Sequence, residues 1–295
     1  MGRIANPQPS RDHTRPATAP ADPGFETGTV KRGVGAHYRE SGAGPGVVCL
    51  HASASSSGQW RPFMDRLAGR FHILAADLHG SGQSPAWPDA RPMWLADEVA
   101  VLAPVFAAAG PRFHLIGHSY GGAVALRAAL TDPGRVESLV VFEPVLFSLL
   151  IAEDPAQAAA REITAVRDDT IAAVQNGNPG ASGARFVDYW MGRGAWAGMP
   201  EARRETIATQ MAQVLPQWHA LFMEPTPLSA FAALEVPVLY LTGSASPASS
   251  RGVARLLTKT LPRVTAVEIE GAGHMAPLTH PERVNAVIEG FLERT

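Results

Sequence analysis

Short apolar runs, each followed by a stretch with helical spacing, organise the chain from about residue 28 onward. GVVCLHA (46–52), FHILAADL (71–78), FHLIGHS (113–119) and ESLVVFEP (137–144) are short and continuously apolar and read as buried strands. Residues 57–69, 93–109 and 120–131 read as the helices between them. Strand alternating with helix predicts an α/β fold with a mostly parallel, doubly wound sheet covered by helices on both faces. Parallel strands direct their C-terminal ends to one edge, and ligands bind in the crevice there.

Pro144 ends the alternation. DPAQAAAREITAVRDDTIAAVQ (154–175), ARFVDYWMG (184–192), EARRETIATQMAQVL (201–215) and PQWHALFM (216–223) are all helical in pattern. They predict a helical cap inserted over residues 145–230. Strand character returns with VPVLYLTG (236–243) and VTAVEIEG (264–271), separated by a helix near 249–261 and followed by a closing helix from His280. The expected core therefore comprises residues 26–144 and 231–295. The first 25 residues contain five prolines, scattered arginines and no continuous apolar stretch, and are expected to form a disordered tail rather than a secretory signal.

Composition narrows the classes of partner. A chain of 295 residues with 46% hydrophobic and 18% charged residues can bury a large core. The net charge of -2, with both signs interleaved, gives no footprint for nucleic acid or an anionic membrane, and no apolar run is long enough to span a bilayer. Cys49 is the single cysteine, so no internal disulfide forms and a reducing, cytoplasmic setting is expected. No Cys/Cys or Cys/His pair has zinc-ligand spacing, and the Gly42-x-Gly44-x-Gly46 and Gly80-x-Gly82 runs are too short for a dinucleotide fingerprint. No metal and no cofactor are expected; the partner is a small molecule, and the chain is a monomer or a homodimer.

The candidate chemistry lies in LIGHSYGGAVALRAA. Gly117-His118-Ser119-Tyr120-Gly121 follows an apolar strand and opens a helix, the context in which G-x-S-x-G forms a nucleophile elbow with its serine raised at the sheet edge. On these residues the chain resembles the α/β-hydrolase superfamily from residue 35 to its C-terminus. LHASASSSGQW resembles the family's oxyanion loop, DLHGSGQSP its Asp-x-x-Gly-x-Gly-x-Ser turn, and GAGHMAPLTHPERV the segment bearing the catalytic histidine. The resemblance implies His274 as general base and the N–H groups of Tyr120 and Ser53 as oxyanion donors, with Ala52 standing where the family usually has glycine. His51, in the same loop, is expected to hold it by hydrogen bonds and to border the substrate.

The family usually carries its acid three residues after Gly243, but Ser246 occupies that place. Between Gly243 and His274 the only carboxylates are Glu268 and Glu270, both within a strand. The chain is therefore a Ser/His dyad, an inactive relative, or an enzyme whose acid comes from elsewhere. Chain geometry favours Glu143. The helix after Ser119 carries the chain roughly 18 Å from the active edge, and the next strand climbs back at about 3.3 Å per residue. That return is complete at Glu143, one strand over from the serine. Some α/β-hydrolases, among them one group of haloalkane dehalogenases and the zearalenone-type lactonases, place their acid after this strand, and RVESLVVFEPV resembles those segments.

These residues imply acyl transfer to water through an acyl-enzyme on Ser119, with a carboxylic ester or lactone as substrate. Phe147, Trp190, Trp218 and Met223 in the insertion are expected to give the pocket an apolar or aromatic lining. Alternatives are a C–C bond hydrolase of dienone acids, which needs a cation such as Arg185 or Arg193 for its substrate, a cofactor-free haloperoxidase or perhydrolase, and a non-catalytic ligand receptor of the same fold.

Overall fold

The computed structural model describes residues 35–88 and 90–295. The expected tail over residues 1–25 and the expected start of the core over 26–34 lie outside the described residues. Seven strands form one sheet: β1 (Tyr38–Ser41), β2 (Gly46–Leu50), β3 (His72–Ala76), β4 (Phe113–His118), β5 (Val136–Phe142), β6 (Val238–Gly243) and β7 (Val264–Ile269). Their spatial order is β1-β3-β2-β4-β5-β6-β7, with β1 antiparallel to β3 and every other pair parallel. The six strands read from the sequence form the parallel part. The antiparallel β1, with the polar sequence YRES and half-buried residues throughout, gave no apolar signal.

Alternate residues of the central strands enter two separate cores. Val48 and Leu50 of β2 pack on one face with Val105 and Val124, while Val47 and Cys49 pack on the other with Phe63 and Ile288. Both faces are covered, which is why β2 and β4 are buried at every position. The covering helices before β5 are α1 (Arg61–Leu67), α2 (Leu95–Val101), α3 (Ala103–Ala109) and α4 (Tyr120–Thr131). The single helix expected over 93–109 is two helices. Pro104 has no N–H to bond to Ala100, so the chain restarts at Ala103 with proline in the first turn of α3.

Five helices separate β5 from β6: α5 (Phe147–Glu153), α6 (Ala158–Gln175), α7 (Pro179–Met191), α8 (Ala195–Gly198) and α9 (Glu201–Phe222). Two helices were expected where α9 runs unbroken through Pro216. Ile207, Met211, Val214, Trp218 and Leu221 bury one continuous face of α9, so packing outweighs the hydrogen bond that proline removes. Then come α10 (Ala248–Thr260), α11 (Ala276–Thr279) and α12 (Pro281–Leu292). No helix among the described residues is long and apolar enough to cross a membrane.

Candidate active site

Between β4 and α4 the turn is one residue, Ser119, held at φ 55° and ψ −116°. A side chain in that region clashes with its own backbone, so the conformation persists only because its neighbours impose it. Two glycines make the close passage possible. A Cβ on Gly117 would lie 2.3 Å from the Gly121 carbonyl oxygen, and one on Gly121 would lie 2.5 Å from that of Leu50. The spacing of G-x-S-x-G is thus a consequence of helix α4 starting directly against β4 and β2.

Register then brings the acid alongside. His118 pairs with Phe142 across β4 and β5, and the Ser119 N–H donates to the Phe142 carbonyl at 2.9 Å. Ser119 and Glu143 consequently leave adjacent strands side by side. His274, in the turn between β7 and α11, joins them: its Nε2 is 2.9 Å from Ser119 Oγ and its Nδ1 is 2.7 Å from Glu143 Oε2. The other Glu143 oxygen accepts the Gly243 N–H at 2.7 Å.

All three side chains are buried. Burial works to raise the Glu143 carboxyl, but His274, the Gly243 N–H and nearby Ser246 outweigh it and hold the group below its ordinary value. Ser246, where the family's usual acid would stand, lies beside this carboxylate without closing a hydrogen bond of its own. Backbone strain marks the same place. Among the described residues the only non-glycine positions with positive φ are Ala54, Ser119 and Glu143, and each costs on the order of 1–3 kcal/mol.

A sequence profile of the alpha/beta hydrolase family matches residues 47–287, the span that holds all three groups. The chain belongs to the alpha/beta hydrolase family. It is 28% identical over 276 residues to (E)-2-((N-methylformamido)methylene)succinate hydrolase of Acinetobacter baylyi, covering 88% of this chain and 95% of that protein. It is 27% identical over 261 residues to a pimeloyl-[acyl-carrier protein] methyl ester esterase of Aeromonas hydrophila, covering 85% and 96%. An alpha/beta hydrolase structure from Sphaerobacter thermophilus superposes with a TM-score of 0.61 at 26% identity, covering 84% of this chain and 95% of that one.

Within this alpha/beta hydrolase, His274 is held by contacts that sequence order concealed. His118 donates its Nε2–H to the His274 carbonyl at 2.9 Å, across 156 residues of chain. Burial, aided by His274 nearby, pushes His118 well below the ordinary histidine value, so the ring is neutral and its proton sits on the bonded nitrogen. Trp190 of α7 stacks on the His274 ring with centroids 4.1 Å apart. Ser250 Oγ approaches His274 Nδ1 at 3.4 Å from α10. The place of His118 inside the elbow was the one hint in the sequence of its contact with His274.

Ser53 and Ser119 line a common slot with Phe147, Trp190 and Trp218, and its remaining walls include Phe186 and Gln217, which the sequence had not singled out. Tyr120 is the first residue of α4, where no intrahelical carbonyl is available to its N–H. The slot is narrow, with about 10 Å³ of free volume, close to the room one water needs. Trp190 also borders an outer groove of about 760 Å³ with Arg185, Arg193 and His280, so its indole divides slot from groove.

Two expected substrate contacts are corrected. Met223 is 55% exposed and lines a surface groove with Ile151 and Pro155, because α9 ends at Phe222 and releases it outward. His51 is fully buried and engaged twice, its Nδ1 with the Ala52 carbonyl at 2.7 Å and its Nε2 with the Leu78 N–H at 3.0 Å. It ties the loop carrying Ser53 to the turn after β3 and has no face left for a substrate. Asp77 braces the same loop, accepting the Ser57 and Gln83 N–H groups at 2.6 and 3.0 Å.

Proposed function

We propose that this hydrolase cleaves a carboxylic ester or lactone with an apolar or aromatic part, through an acyl-enzyme on Ser119. The observation that carries the assignment is the continuous chain from Ser119 Oγ through His274 to Glu143. A serine hydroxyl becomes a competent nucleophile when a base accepts its proton and a third group orients that base.

Ser119 Oγ attacks the carbonyl carbon as its proton passes to His274 Nε2. Glu143, kept ionised, holds the Nδ1–H tautomer and balances the imidazolium that forms. The N–H groups of Tyr120 and Ser53 receive the negative oxygen of the tetrahedral intermediate. His274 then returns its proton to the departing alkoxide, and water repeats the sequence on the acyl-enzyme. Deprotonated by His274, the water attacks the acyl carbon and releases the acid from Ser119.

The walls of the slot favour this substrate class. They are mainly aromatic and aliphatic and carry no arginine or lysine. Arg185 pairs with Asp169 at 2.8 Å, and both Arg185 and Arg193 border the outer groove instead. A dienone acid would place its carboxylate in the slot without a cation, which counts against C–C bond hydrolysis. The helices α5–α9 act as a cap over the serine, with Trp190 as the partition that must shift to admit substrate. Hydrolysis of a panel of p-nitrophenyl esters by the wild type, together with labelling of Ser119 by an organophosphonate, tests the assignment. Absence of both overturns it.

A further inference from the structure

Two polar atoms at the slot have no partner. Gln217 and Trp218, adjacent on α9, are 1% and 2% exposed, and both line the slot that contains Ser119. Gln217 Oε1 and Trp218 Nε1 are each sealed from solvent and make no hydrogen bond within the protein. Buried polar groups in native proteins are nearly always paired, and of the thirteen buried side-chain polar atoms without a partner among the described residues these two alone belong to residues that line the slot. They lie on the wall of a reaction site whose remaining walls, apart from Ser53 and Ser119, are apolar or aromatic.

We infer that Gln217 and Trp218 are specificity-determining residues, and that the substrate carries a neutral hydrogen-bonding group, a hydroxyl in the simplest case, on the part lying against α9. The inference rests on the esterase assignment above and narrows its substrate class. The indole N–H only donates, while the amide oxygen accepts and the amide nitrogen beside it donates. A hydroxyl can answer either. A carboxylate cannot donate to Oε1 and finds no arginine or lysine on these walls; an ammonium cannot accept from the indole and finds no carboxylate on them.

A purely alkyl substrate would leave both groups unpaired on closure. A hydroxylated one gains a hydrogen bond to Gln217 or Trp218 that an alkyl chain cannot make. One buried hydrogen bond of this kind favours the hydroxylated ester by about 5- to 100-fold in kcat/KM.

The test compares p-nitrophenyl esters of acids bearing a hydroxyl at successive carbons with their methyl and carboxylate counterparts. A second series uses acetate esters of the matching diols and alkanols, so that the hydroxyl is presented from the alcohol side. The expected result is a hydroxyl preference of that size in at least one series, seen chiefly in KM, with the carboxylate worst. In Gln217→Leu and Trp218→Phe the ratio of hydroxylated to alkyl kcat/KM falls toward one, with thermal midpoint and phosphonate labelling of Ser119 reporting that each variant is folded. Equal use of hydroxyl and alkyl esters by the wild type in both series overturns the inference, whether or not the variants fold. If the wild type turns over no ester and Ser119 resists labelling, the esterase assignment fails instead. Calorimetric binding of the same probes to Ser119→Ala then decides the polar preference alone, tighter binding of hydroxylated probes supporting it and equal binding overturning it.

Discussion

Two glutamates flank the nucleophile turn, both fully buried, and their environments drive them in opposite directions. Glu143, at the end of β5, sits below the ordinary carboxyl value because His274, the Gly243 N–H and Ser246 outweigh its burial. Glu98, on α2 behind the elbow, sits above it because burial outweighs the His79 N–H and the Tyr120 hydroxyl that bond to it at 3.1 and 3.0 Å. Burial penalises both charges; the His79 ring near Glu98 lowers its carboxyl without overcoming burial, whereas the His274 ring is hydrogen-bonded directly to Glu143 and helps outweigh it. Proximity to the serine therefore does not identify the acid of a triad. What identifies it is a titratable partner that in turn reaches the nucleophile. Glu98 instead anchors the Tyr120 side chain to the turn after β3 through the His79 N–H.

Ser119→Ala should abolish turnover on either side of this comparison, lowering kcat by about 10⁵- to 10⁶-fold, the scale of losing the nucleophile in a serine hydrolase. The change is measured with whichever p-nitrophenyl ester the wild type uses best. Glu143→Gln keeps the shape but removes the charge that orients the base and stabilises its imidazolium, and should lower kcat by about 10³- to 10⁴-fold. Glu98→Gln keeps a hydrogen-bonding group against Tyr120 and should cost less than about tenfold, the margin left by one altered supporting hydrogen bond. Equal losses in the two variants would break the distinction drawn between the sites. Ser246→Asp sharpens it from the other direction. Added to Glu143→Gln, it places a carboxylate beside the same position and should recover part of kcat, whereas added to Glu98→Gln it should recover nothing.

Local sequence carried much of this site, and tertiary packing carried the rest. Gly117, Ser119 and Gly121 were legible because the elbow is built from five consecutive residues and its geometry is local. Glu143 was legible because helix and strand lengths alone return it to the active edge, and the pairing of His118 with Phe142 places it there. The bond from His118 to His274, the stacking of Trp190 on His274 and the unpaired state of Gln217 were not legible. Each depends on segments far apart in sequence meeting in one orientation, which composition and periodicity do not encode. Pro216 misled for the same reason, since only the packing of α9 shows that the helix survives it.

The smallest effects concern stability, and the two glutamates should give opposite signs. A carboxyl whose folded value is depressed stabilises the fold above its unfolded value, near pH 4.3, and loses that contribution as pH falls through the folded value. Glu143 is such a group. Glu143→Gln should therefore be less stable than wild type at pH 7, with the difference shrinking as pH drops below about 4. Glu98 is raised, so its contribution is fully present below the unfolded value and is lost as pH rises through the folded value. Glu98→Gln removes an ionisation that opposes folding, so its stability relative to wild type should improve steadily from about pH 4 toward neutrality. Urea denaturation of the three proteins across that range reads both slopes. Parallel slopes would mean that His274 does not hold the Glu143 charge in the folded state, and the two buried sites would then be electrostatically alike.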